Sequence, residues 1–292
     1  MMLLFLPALL SFTTGAFCDD FGDYWYQGKA EITSYELLQA RYGEVHPGHA
    51  VLIFVTEDFS ASKQVKLDRP DKSLDDAVKV LKLNATRKFN TGIYPYSMMS
   101  SVFTPIYADQ HPKTLKVTTS SQEWCGHTYT QLNLEKGGYR AKLLSYFERE
   151  GDRDLHWEDG IPEDEIWNRI RLNPDALPTG RVRLIPGTMF QRLKHTAWGV
   201  HDATAKHVDH PDDPTLSLYV VEYADIKRKL SITYQTRFPH QVEGWEEAQQ
   251  SEFGANPAEL TTTATRKKRI LSDYWRRHDI ADAHLREGLG LK

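Results

Sequence analysis

The chain has 292 residues, of which 40% are hydrophobic and 26% charged, with a formal net charge of −4. That balance is ordinary for a globular domain, and it excludes a disordered chain and the strongly basic surface on which nucleic-acid or anionic-membrane binding rests. The two cysteines, Cys18 and Cys125, are too few for a disulfide framework, so a core of this size has to be held by burial alone.

Met1 to Phe17 reads MMLLFLPALLSFTTGAF: uncharged, apolar from Leu3 to Leu10, with small residues from Thr13 to Ala16. This predicts a removable signal peptide over residues 1–17, although its start lacks the usual Lys or Arg. The apolar run is too short for a membrane span, which takes about twenty residues, and the chain turns acidic at Asp19, Asp20 and Asp23. Cys18 stands where a bacterial lipoprotein carries its lipidated cysteine, but Phe17 occupies a position that prefers a small residue; cleavage after Ala16 suits the same segment. The expectation is an exported β-rich domain over 18–292 that is periplasmic, extracellular or tethered through a lipid anchor on Cys18. Tyr24-Trp25-Tyr26 reads as an aromatic anchor that docks the first segment onto a sheet.

Beyond that point the patterning is mostly period two. Over Ile226 to Phe238, Ile226, Leu230, Ile232, Tyr234 and Phe238 oppose Lys227, Lys229, Ser231, Thr233, Gln235 and Arg237, and residues 79–89 alternate in the same way. Further strands are predicted over Glu31–Tyr42, Ala50–Phe59, Leu115–Ser121, Thr128–Leu134, Tyr139–Glu148, Arg181–His195, Leu216–Tyr223 and Leu260–Leu271. His46-Pro47-Gly48, Lys136-Gly137-Gly138, Pro186-Gly187 and Pro211 to Pro214 are the turn signals. Strands with one wet face and short connections make antiparallel sheets. The predicted fold is therefore mainly β: a large antiparallel curved sheet, an open barrel or a sandwich.

Pro162 to Leu172 begins with proline and an acidic first turn and stops at Asn173-Pro174, which predicts a short helix near 162–172 and a boundary between two halves near 160–178. Leu74–Val80 and Ser272–Leu289 are weaker helical candidates.

Chemistry is sparse. Walker, zinc-protease, nucleophile-elbow and dinucleotide-binding motifs are absent, and no cofactor is expected. Gln122-Glu123-Trp124-Cys125-Gly126-His127 is the most unusual segment. Cys125 and His127 are candidate nucleophile and base, yet in an extended strand their Cα atoms lie about 6.5 Å apart, so the pair needs Gly126 to bend the chain. The simpler reading is a buried Cys125 at a strand bulge, with Trp124 as a candidate binding residue. In the acidic stretch Glu148 to Glu165, Asp152, Asp154 and Asp159 are candidate ligands for a hard cation, although calcium-loop spacing is not met and a solvated loop explains the charges. His195, His201, His207 and His210 with their neighbouring aspartates follow no metal-site spacing and read as a polar loop.

The phrases from Asp23 to Ile32 (DYWYQGKAEI), Gln39 to Gly43, Val55 to Phe59, Lys82 to Tyr96, Gln122 to His127 and His284 to Glu287 together resemble an uncharacterised family of exported bacterial proteins, often with lipoprotein-type leaders. Its members frequently carry the label "septum formation inhibitor Maf". The genuine Maf family are cytoplasmic nucleotide pyrophosphatases with an early Ser-x-Arg-Arg, which this chain lacks. The resemblance implies export and a β fold only, with no pyrophosphatase activity. The expected function is a non-catalytic binding or structural module of the cell envelope, whose partner is an apolar ligand or an envelope protein. The alternative is a Cys/His-dependent hydrolase or transferase using Cys125 and His127.

Overall fold

Residues whose apolar side chains alternate, separated by tight turns, pair with their sequence neighbours along almost the whole chain. The computed structural model describes residues 19–250 and 259–291. Its strands are β1 (Ala30–Arg41), β2 (Glu44–Ser60), β3 (Ala77–Thr91), β4 (Tyr94–Pro105), β5 (Lys116–Gln122), β6 (His127–Glu135), β7 (Gly138–Ser145), β8 (Arg153–Trp157), β9 (Ile161–Pro162), β10 (Gly180–Ile185), β11 (His201–Asp209), β12 (Leu216–Tyr223), β13 (Arg228–Gln235), β14 (Val242–Gln250) and β15 (Glu259–Ser272). Four short helices, α1 (Asp19–Trp25), α2 (Ile166–Leu172), α3 (Thr188–Lys194) and α4 (His284–Gly288), accompany them. The fold is mainly β, as the alternation predicts.

All fifteen strands form one sheet in the order β8-β7-β6-β5-β4-β3-β2-β1-β15-β14-β13-β12-β11-β10-β9. Every pairing is antiparallel except that of β9 with β10. The long β1–β15 ladder joins the first and last strands of the meander. Its two edges, β8 and β9, are consecutive in the chain: Trp157 and Ile161 are four residues apart, a span of at most about 14 Å. The sheet therefore rolls until its edges nearly meet, without hydrogen-bonded closure into a barrel.

The segment that leaves β9 fills the roll. α2 and α3 pack against β3, β4 and β5, while Glu163, just ahead of α2, accepts hydrogen bonds from Tyr223 on β12 and Arg228 on β13. Asn168 is fully buried and donates to the Leu81 carbonyl (3.0 Å) and to Thr104 Oγ1 (2.9 Å). One apolar cluster spans both walls and both helices, including Leu37, Leu83, Val117, Ile170, Leu193, Val221 and Trp245. On the outer side, Leu289 and Leu291 cover Ala30, Ile32, Val51 and Val55.

Charges are buried with these helices. Arg171 pairs with Glu31 with both side chains at most 1% exposed, and Arg228 bridges Glu163 and Glu247, the latter also held by Arg87. Asp164 accepts from the Thr188 N–H (3.0 Å) and hydroxyl (2.9 Å), tying the start of α3 to the segment before α2. Burial, helped by the charge of Glu163 and opposed by the Thr188 hydrogen bonds, pushes the Asp164 carboxyl up to about 6. An unfolded aspartate titrates near 3.9, so the stabilisation from this group is complete below about pH 4 and is lost as pH rises through about 6. Asp164→Asn removes that loss. Relative to wild type, the variant is expected to gain on the order of 3 kcal/mol in unfolding free energy between pH 4 and pH 7; denaturant curves at the two pH values measure this, and an unchanged difference would refute it.

Several sequence expectations are corrected. Gly48 lies inside β2, opposite Leu37 and Phe89, because a side chain there would meet the Lys88 carbonyl at 2.3 Å; the real turn is Tyr42-Gly43, with φ of 53° and 83°. The strand predicted to run to His195 stops at Ile185 and gives way to α3, whose first N–H is capped by the distant Asp164. Residues 77–80 join β3, paired with Glu57 to Ser60, and form no helix. Of the stretch expected as a histidine loop, His201 to Asp209 is strand β11, fixed between β10 and β12. The predicted helix near 162–172 is a 3₁₀ turn at Glu163–Glu165 running into α2, whereas the C-terminal segment holds two 3₁₀ turns before the short α4.

Candidate functional site

At one end of the roll, the β1–β2, β3–β4 and β5–β6 turns and the β7–β8 connection converge on the C-terminus of α3. That helix buries Met189, Phe190 and Leu193. The same turn of helix carries Arg192 inward, and the chain leaves through His195 in the left-handed region (φ 54°). A non-glycine residue there costs on the order of 1 kcal/mol, which the surrounding contacts offset.

Arg192 holds the cluster together. Its Nη2 donates to Glu123 Oε1 (2.5 Å), its Nε donates to Thr128 Oγ1 (2.9 Å), and its guanidinium lies 4.6 Å from the Phe147 ring centre. The Arg192 and Glu123 side chains are only 5% and 3% exposed. Glu123 also accepts from the Tyr94 hydroxyl (2.5 Å), which in turn accepts from the Cys125 N–H (2.8 Å). On the other side His195 Nδ1 pairs with Glu150, and Arg41 Nη2 sits 3.3 Å from its Nε2. Burial raises the Glu150 carboxyl, but its hydrogen bond to His195 and the charges of His195 and Arg192 outweigh this and hold it below the usual range.

Beside this cluster opens a cleft of about 710 Å³ between the β7–β8 connection and the segment after α3, lined by Phe147, Glu148, Arg149, Arg153, Lys194 and Trp198, with Glu150 and His195. A shallower groove of about 380 Å³ includes His127, Tyr129, Leu144 and Asp152. In the interior, by contrast, the space among Arg87, Glu163, Arg228, Trp245 and Glu247 is only about 40 Å³, room for a few waters.

The residues singled out by sequence scatter. Cys125 is exposed in a tight Glu123–Gly126 turn closed by mutual backbone hydrogen bonds of 3.3 and 3.2 Å. The expectation of a buried cysteine at a strand bulge is therefore corrected: the bend is a hairpin turn, and Gly126 is required there because a Cβ would fall 2.5 Å from the Tyr146 ring. His127 opens β6 and is exposed; among the described residues no hydrogen bond joins it to Cys125, whose neighbour is Tyr94. Trp124 is 63% exposed with its ring 6.0 Å from that of Tyr94.

Asp152 accepts from the Ser145 N–H, Asp154 pairs with Arg140 and Asp159 with Arg183, so the three cation candidates are held apart on separate partners. No group of three or more His, Cys, Asp or Glu placed to hold a metal ion occurs among the described residues. Met1 to Cys18 lie outside the described residues. Of the acidic stretch, Glu148 and Glu150 line the cleft, with Arg149 and Arg153 from the same segment, and of the histidine cluster His195 does. Arg41, Tyr94 and Arg192, on β1, β4 and α3, carried no local signal, whereas Glu123 lies within the segment Gln122 to His127 that the sequence singles out.

No helix among the described residues is long and apolar enough to cross a membrane. No family model matches the chain, and no curated protein matches it. Among solved structures, it is similar to a porin-like protein from Bacteroides uniformis ATCC 8492, over 81% of this chain and 95% of that one, at 8% identity and a TM-score of 0.22, a likeness too loose to carry an argument about fold or function.

Proposed function

We propose that this chain is an exported cell-envelope protein that acts as a non-catalytic binding module, with the cleft at the end of the roll as its recognition site. The observation that carries the reading is the contrast in volume: about 710 Å³ in the cleft against about 40 Å³ in the interior. Small-molecule sites occupy roughly 300–1,000 Å³, a range into which the cleft at the rim falls and the interior space among the described residues does not. Export rests on Met1 to Phe17, and lipid tethering on Cys18. The resemblance to the exported family labelled "septum formation inhibitor Maf" points the same way.

Native mass spectrometry of the protein drawn from its own membrane and soluble fractions tests both parts. The expected result is a chain that begins after Ala16 or at an acylated Cys18, carrying a small-molecule adduct that Trp198→Ala removes. An unprocessed chain in the cytosol would overturn export; an adduct indifferent to Trp198 would overturn the site. The rival Cys/His-dependent hydrolase or transferase is favoured by one observation, the exposure of Cys125. It requires thiol labelling to slow in His127→Ala, and unchanged labelling dismisses it.

A further inference from the structure

We infer that the ligand of this cleft is a small molecule that carries an anionic group on a flat ring system, an inference that rests on the cleft being a binding site. The chain as a whole is negative, at −4, but among the described residues the cleft lining reverses the sign. Arg149, Arg153 and Lys194 face two carboxylates, Glu148 and Glu150, and the second is already held by His195. Lys194 donates to the Gln250 carbonyl (2.5 Å), which fixes its ammonium at the wall. Arg153 donates to the Arg149 carbonyl (2.8 Å). Neither Arg149 nor Arg153 has a carboxylate within ion-pair distance among the described residues, although most of the chain's other arginines do. Two planar guanidinium forks without carboxylate partners beside a fixed ammonium favour a carboxylate, sulfonate or phosphate, for which guanidinium supplies paired donors.

The ring preference comes from the aromatic members. One side of Phe147 is taken by Arg192 and its ring packs edge-to-face with that of His195, the ring centres 5.3 Å apart, so it serves as a stiffened wall. Trp198 is half-buried, and among the described residues its indole makes no ring stacking or hydrogen bond. It offers a flat apolar face and an N–H donor to an occupant.

The probes are 8-anilinonaphthalene-1-sulfonate and its uncharged analogue N-phenyl-1-naphthylamine, which share a ring system and differ in the sulfonate. Binding of each is titrated by fluorescence to wild type, Trp198→Ala and the double variant Arg149→Ala/Arg153→Ala; the replaced arginines are exposed, so folding, checked by circular dichroism, is retained. The expected pattern is loss of both probes in Trp198→Ala, and in the double variant about tenfold weaker binding of the sulfonate with less than twofold change for the neutral analogue. Rising salt should weaken the sulfonate alone. If the neutral probe binds as tightly as the sulfonate and the double variant is silent, the anionic preference is overturned while the cleft reading survives. If Trp198→Ala changes neither probe, the cleft reading fails and this inference with it.

Discussion

Arg171→Met is expected to lower the unfolding free energy by about 3–5 kcal/mol, the range found when one partner of a buried ion pair is removed. Arg171 donates to Glu31 through Nη1 (2.5 Å) and Nη2 (2.8 Å) and to the Pro239 carbonyl through Nε (2.8 Å). Its guanidinium also lies over Phe54 (4.8 Å) and Trp25 (5.1 Å). Without it, Glu31 is left in the core with the Tyr24 hydroxyl and, 3.9 Å away, the part-exposed Arg269, which screens only part of the charge.

The double variant Glu31→Leu/Arg171→Met should recover most of the loss, because the cost of Arg171→Met is an unpaired charge more than a missing attraction. Denaturant unfolding of the full cycle measures this, and strictly additive single effects would refute it. The pH dependence has a definite sign. Burial raises the Glu31 carboxyl, but the charge and hydrogen bonds of Arg171, with the bond from Tyr24, outweigh it and hold the group below its ordinary value. Its stabilisation is therefore present above the unfolded value, about 4.3, and is lost as pH falls through the lower folded one. This runs opposite to Asp164.

Arg192→Met is the second large effect, about 3 kcal/mol for a buried pair at the rim, and its consequence is local. The variant leaves Glu123 buried beside Tyr94 and removes the cation from the Phe147 ring, so the β7–β8 connection is held to the end of α3 by the His195 contacts alone among those described. Hydrogen exchange over residues 146–153 is expected to speed up by about tenfold beyond what the global loss explains. Arg192→Lys, which keeps the charge but not the forked donors, should fall between the two. Exchange that accelerates uniformly across the chain would assign Arg192 to the core alone and remove it from the cleft wall.

What the sequence by itself determined is the local alphabet of this protein. Period-two alternation marked β3 and β13 because each strand has one face in the core and one in water, and the burial of Leu81, Leu83, Leu230 and Ile232 follows that alternation. The short helix near 162–172 was legible from its proline, its acidic first turn and Asn173-Pro174. Elements that alternation missed had other reasons. β4 and β14 carry apolar, polar and glycine residues in mixed order. β8 and β9 are short edge strands that exist because the rolled sheet supplies their partners.

Only the tertiary structure decided where the edges meet and what fills the roll, since both depend on cumulative sheet twist and on pairing between β1 and β15, more than 200 residues apart. The cleft belongs to the same category. Arg41 ends β1, Glu123 and Glu150 lie in separate connections, and Arg192 and His195 belong to the end of α3, and a buried charge finds its partner by three-dimensional proximity, for which no sequence spacing exists. Cys125 and His127, adjacent enough to attract notice in the sequence, are set apart by a hairpin turn whose geometry Gly126 and Tyr146 impose.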